Sequence, residues 1–117
     1  MSEERQPLLV FSTVGDHATA RSLASSLVEA RVAACVNILP PVTSVFRWEP
    51  DAGDTADASV QEESEVMLVA KTTARAYPAL EQRLRAEHPY DLPEIVAVPV
   101  THGLPEFLRW IDEASQC

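Results

Sequence analysis

The first patterned stretch is an apolar run, residues 7–14 (PLLVFSTV), with the length of a buried strand. Gly15 and Asp16 interrupt it, and Asp16 suits the N-cap of a following helix, where its carboxylate accepts free backbone N–H groups. Ala20, Leu23, Ala24, Leu27 and Val28 then recur at spacings of three and four, one apolar helical stripe ending near Arg31. Residues 32–39 (VAACVNIL) predict a second strand from their β-branched content. Pro40 and Pro41 cannot donate to a ladder, so a bend or bulge on an edge is expected before strand character resumes over 42–48 (VTSVFRW). Residues 49–65 lose almost all large apolar side chains and predict a solvated hairpin loop. Residues 65–72 (EVMLVAKT) predict the next strand. Thr72 or Thr73 is the expected cap of a second helix running to about Glu87, with Tyr77, Leu80 and Leu84 as its stripe. Pro78 fits only in that helix's first turn, where a missing N–H costs little. His88-Pro89 ends it; residues 93–100 (PEIVAVPV) predict a fourth strand, and 104–115 a last helix with Pro105 near N1.

The order is β-α-β-β-α-β plus a terminal helix. This is the split βαβ pattern of a ferredoxin-like α+β fold, with an antiparallel sheet and a single domain spanning 1–117. Right-handed crossovers place both main helices on one face. The strands do not alternate apolar with polar, however. Leu8 and Val10 oppose Leu9 and Phe11; Val66, Leu68 and Ala70 oppose Met67 and Val69; Ile95 and Ala97 oppose Val96 and Val98. Both faces are apolar, as when both are covered. Each large side chain left wet forgoes roughly 1.5–3 kcal/mol, and the short terminal helix is too small to cover the second face. Self-association is therefore expected to bury it.

Composition narrows the function. Of 117 residues, 18 are acidic and 9 basic, for a net charge of −9. That excludes the basic footprint of nonspecific nucleic-acid or membrane-surface binding. No apolar run approaches the roughly 18 residues of a membrane span. The N-terminal sequence lacks the pattern of a signal peptide, which points to the cytoplasm. Residues 49–65 hold seven acids and no Lys or Arg, so this one hairpin carries most of the charge. Three glycines rule out glycine-rich phosphate loops, and no G-x-S-x-G elbow occurs, so no enzyme is indicated. Cys35 and Cys117 form no disulfide framework, and no C-x-x-C or close His pair marks a structural zinc site.

The runs AACVNILPPVTSVFRWE (33–49), SEVMLVAKT (64–72), HPYDLPEIVAVPVTHG (88–103) and FLRWI (107–111) resemble, in order and over nearly the whole chain, the CutA family of divalent-ion tolerance proteins. The resemblance implies a ferredoxin-like fold assembled as a PII-like homotrimer, with sheets inside and helices outside. It also implies a role in tolerance of copper or another divalent metal, with no obligatory cofactor and no turnover. Two departures stand out. Pro40-Pro41 occupies the bend where the family usually has Pro-Gly, and residues 50–60 (PDAGDTADASV) look like an insertion.

Candidate residues follow. Cys35 reads either as a soft-metal ligand or as a small buried hydrophobe. His88 and His102 read as nitrogen ligands, with His88 alternatively bonding the last carbonyls of its helix. Cys35, His88 and His102 are thus the expected metal ligands, though only the fold could gather them. Lys71, the only lysine, falls at a strand's C-terminal end. Together with Trp48, Glu65, Tyr90 and Glu94 it is expected to line a cleft between subunits, or to hold the trimer together. Partners are then metal ions and further copies of the chain. The alternatives are a PII-like sensor taking a small anionic ligand in such clefts, and a scaffold trimer for partner proteins.

Overall fold

A computed structural model describes residues 3–48 and 59–116. After a short 3-10 turn at Glu3–Arg5, the elements are β1 (Pro7–Val14), α1 (His17–Glu29), β2 (Cys35–Ile38), β3 (Val42–Trp48), β4 (Ser59–Thr73), α2 (Tyr77–Glu87), β5 (Val96–Pro99) and α3 (Pro105–Ala114). The sheet is antiparallel in the order β2-β4-β1-β5, with β3 also on β4. This is the expected ferredoxin-like arrangement.

Local chemistry sets several boundaries. Asp16 caps α1: its Oδ1 accepts the Thr19 N–H at 2.8 Å and its Oδ2 the Thr19 hydroxyl at 3.0 Å. α1 stops where Arg31 adopts a left-handed φ of 62°, letting the Val32 N–H reach back to the Leu27 carbonyl at 3.1 Å. Pro78 lies in the first turn of α2, and Pro105 in that of α3.

Four expectations need correction. Residues 59–64 are not loop. They begin the 15-residue β4, whose first half pairs with β3, from Val42↔Glu65 to Trp48↔Ser59. Neither Thr72 nor Thr73 is the α2 cap. Both remain in β4; the cap residue is Ala76, without a side-chain cap bond, and the Thr73 hydroxyl only accepts the Ala76 N–H at 3.4 Å. The 32–39 strand contracts to Cys35–Ile38, because Val32–Ala34 serve as the connection from α1 and are buried there. The 93–100 strand contracts to Val96–Pro99. The proposed insertion, 50–60, lies almost wholly outside the described residues.

The bend at Pro40-Pro41 does what it was expected to do. β2 and β3 behave as one strand broken at the prolines, β2 pairing with residues 68–71 and β3 with 59–65 of the same β4. Neither proline has an N–H to leave unpaired at the break. The β3–β4 hairpin projects as an arm. The radius of gyration is 16.0 Å and the long axis 52 Å, against about 13 Å expected for a compact domain of this size.

Both faces of the sheet are indeed apolar. On one, Val10, Val14, Val66, Leu68 and Ala70 pack against Leu23 and Leu27 of α1 and Leu80 and Leu84 of α2, all nearly solvent-free. The registers put two rows across the other: Cys35, Lys71, Leu9 and Val98, then Asn37, Val69, Phe11 and Val96. α3 covers this face only in part. Val96 remains 52% exposed and Val98 42%, and Phe107 and Trp110 on α3 itself 43% and 42%.

Candidate functional site

His88 follows the last residue of α2, its backbone N–H closing the helix on the Leu84 carbonyl at 2.9 Å. Its ring is turned inward. Nδ1 accepts the Tyr90 backbone N–H at 3.1 Å, which leaves Nε2 to donate to the Thr13 carbonyl at 2.9 Å. Both ring nitrogens are thereby used, and the ring is neutral. Burial holds its pKa below the ordinary value of 6.5, against the opposing pull of the Thr13 carbonyl and Glu65.

The Tyr90 ring stands 4.8 Å from the imidazole, and its hydroxyl donates to Glu65 Oε2 at 3.0 Å. Burial, followed by the Glu65 carboxylate, pushes the phenol up to about 12. This chain of contacts ties the 88–94 loop to the root of the β3–β4 arm. Between loop and arm runs a groove of about 910 Å³, walled by Trp48, Phe46, Glu63 and Glu65 on one side and by Tyr90 and Glu94 on the other.

Four of the five cleft residues expected from the sequence therefore share one groove: Trp48, Glu65, Tyr90 and Glu94. Lys71 does not join them. It is six residues further along β4 than Glu65, roughly 20 Å at strand rise. There its ammonium donates to Asn37 Oδ1, lies 3.7 Å from Cys35 Sγ and stands 5.7 Å from the centre of the Phe107 ring. The three expected metal ligands are not gathered either. Cys35 is half-buried in the Lys71 row, and His88 is anchored to Thr13, four residues along β1 from that row. His102 is exposed beyond β5, its Nδ1 3.0 Å from the Thr101 hydroxyl. Among the described residues, no group of three or more His, Cys, Asp and Glu side chains is placed to hold a metal ion.

Sequence reasoning missed Glu63, Phe46 and Asn37. The signal for the first two was the period-2 register of a hairpin, hidden because 59–64 lacked a strand's apolar alternation. Asn37 sat in the quoted ACVN run, but its partner becomes evident only once β2 is laid against β4.

A family model described as "CutA1 divalent ion tolerance protein" matches residues 8–114. The divalent-cation tolerance protein CutA of Thermus thermophilus is 45% identical over 90% of this chain and 94% of its own length. Protein CutA of mouse is 35% identical over 91% of this chain and 55% of its own length. Among solved structures, the cation tolerance protein Cut A1 of Thermus thermophilus superposes with a TM-score of 0.85 at 43% identity, covering 94% of this chain and 99% of that one. CutA1 of Oryza sativa superposes with a TM-score of 0.86 at 32% identity, covering 98% of each chain.

Proposed function

The chain belongs to the CutA1 divalent ion tolerance family, and on that premise we propose that it is a cytoplasmic, homotrimeric protein that binds copper or a related divalent metal without turnover. Neither nucleic acid nor a membrane takes part. The observation that carries the reading is the second sheet face. It presents Cys35, a soft donor, in a row of side chains that one copy of the chain leaves partly uncovered. In this reading the metal site is completed between copies, with Cys35 as its sulfur ligand. His88 is not a ligand in this reading, since its two nitrogens are already bonded.

A small anionic ligand in the groove is disfavoured by its three carboxylates, Glu63, Glu65 and Glu94, set against one guanidinium, Arg47. The test combines mass and metal. Light scattering should give three times the chain mass, and calorimetry with Cu and Zn on protein purified without chelators or tags should show saturable binding that Cys35→Ala abolishes. Absence of saturable binding at micromolar concentration refutes the metal reading, and a monomeric mass refutes the assembly.

A further inference from the structure

We infer that the groove between the β3–β4 arm and the 88–94 loop is a docking site for a second copy of the chain. The uncovered sheet face of the neighbour fills it, and the partner subunit's Lys71 pairs there with Glu94. The inference rests on the trimer reading and adds to it which surfaces meet. Within one chain Lys71 and the groove stay apart. Lys71 lies six residues beyond Glu65 on β4, roughly 20 Å at strand rise and well beyond the reach of a lysine side chain. Asn37, Cys35 and Phe107 hold its ammonium on the second face.

Charge decides the pairing. The two rows of side chains across the second face hold one ammonium and no carboxylate. Among the described residues, no carboxylate pairs with Lys71. Covering that face without a counter-charge strands a cation in the interface, which is strongly unfavourable. The groove has the opposite imbalance. Glu63, Glu65 and Glu94 line it against Arg47, which is itself engaged, and Glu65 already accepts the Tyr90 hydroxyl. Among the described residues, no hydrogen bond or ion pair engages the Glu94 carboxylate. The apolar parts match as well. Trp48 and Leu92, both more than half exposed, line the groove, and Val96, Val98 and Phe107 stand about half exposed on the sheet side. Two unlike surfaces on each copy make the contact head-to-tail, and such a contact closes into a ring under threefold symmetry. Packing the sheet face on its own equivalent across a twofold axis leaves both ammoniums without a carboxylate.

The full chain should be followed by light scattering through a urea series. Lys71→Glu and Glu94→Lys should each lower the urea midpoint at which the trimer mass is lost, by about 1 M. The double reversal should recover most of that loss, because the pair re-forms with its signs exchanged. Lys71→Met and Glu94→Gln give a second cycle without a reversed charge. Each alone strands its partner, so the double variant should lose no more than either single one. Circular dichroism before urea checks that every chain is folded, and Glu29→Lys, exposed on α1, should leave the midpoint unchanged. A wild-type monomer overturns the trimer reading and this contact with it. A wild-type trimer whose single variants keep its midpoint, or whose losses simply add in both cycles, overturns the contact alone.

Discussion

Ser12 shows how a single residue resists reading from sequence. It faces the helices from the middle of β1, opposite Leu68, is 2% exposed, and among the described residues its hydroxyl has no hydrogen-bond partner. A buried hydroxyl without a partner costs about 1–3 kcal/mol, so Ser12→Ala is expected to raise stability by about 1 kcal/mol in a denaturant melt. A loss of that size would mean that the hydroxyl is satisfied in solution. His88 makes the opposite case, with every polar atom of its ring engaged. Its pKa is depressed in the folded state, so the unfolded chain binds the proton more readily. The stabilisation is complete above the ordinary imidazole value of 6.5 and is lost as pH falls from there through the folded value. Protonation of Nδ1 would also set an N–H against the Tyr90 N–H. The Tm of the protein should fall below pH 6.5 more steeply than that of His88→Gln; parallel slopes would exclude His88 as the group responsible.

At the scale of elements, legibility followed burial. β1, central in the sheet and apolar on both faces, was readable to its end residues, and α1 declared itself by stripe and cap because Asp16 and Leu23 answer to local rules. The arm was not readable. Its residues 59–64 read as loop because neither face rests on the core, so Glu62 and Glu63 can sit on opposite faces without an apolar alternation to betray the strand. Lys71 was grouped with Glu65 because both lie in one short motif; along an extended strand, six residues separate two sites. α3 has a polar attachment that its apolar stripe does not announce. Asp112 accepts Arg75 at 3.0 Å and lies 3.8 Å from Arg5, joining the helix to the α2 approach and to the N-terminal turn. The Asp112 side chain is only 16% exposed, while Arg5 is mostly in water. Asp112→Asn should therefore cost up to about 1 kcal/mol, with the difference shrinking at high salt. A difference that salt leaves untouched would assign the effect to packing of Ile111 and not to charge.

For the whole molecule, the sequence already posed the question that the structure sharpens: what covers the second face of the sheet. α3 supplies Phe107 above Lys71, yet Val96 and Val98 stay about half exposed beside Leu9 and Phe11. A threefold assembly answers this in a way that a mutation can read. In a closed symmetric oligomer each substitution enters every interface, so its cost is repeated with each copy. Placing an ammonium at Val98 forfeits roughly 1.5–3 kcal/mol of apolar burial per copy and adds the cost of an unpaired charge at the interface. Val98→Lys should therefore dissociate the proposed trimer by light scattering, whereas Ser25→Lys, exposed on α1 in the helix layer, should leave it intact. If the dissociated chain keeps its helical circular dichroism, the α1–α2 core folds without the second face. A trimer that tolerates Val98→Lys would mean that the copies meet elsewhere and that this row faces water.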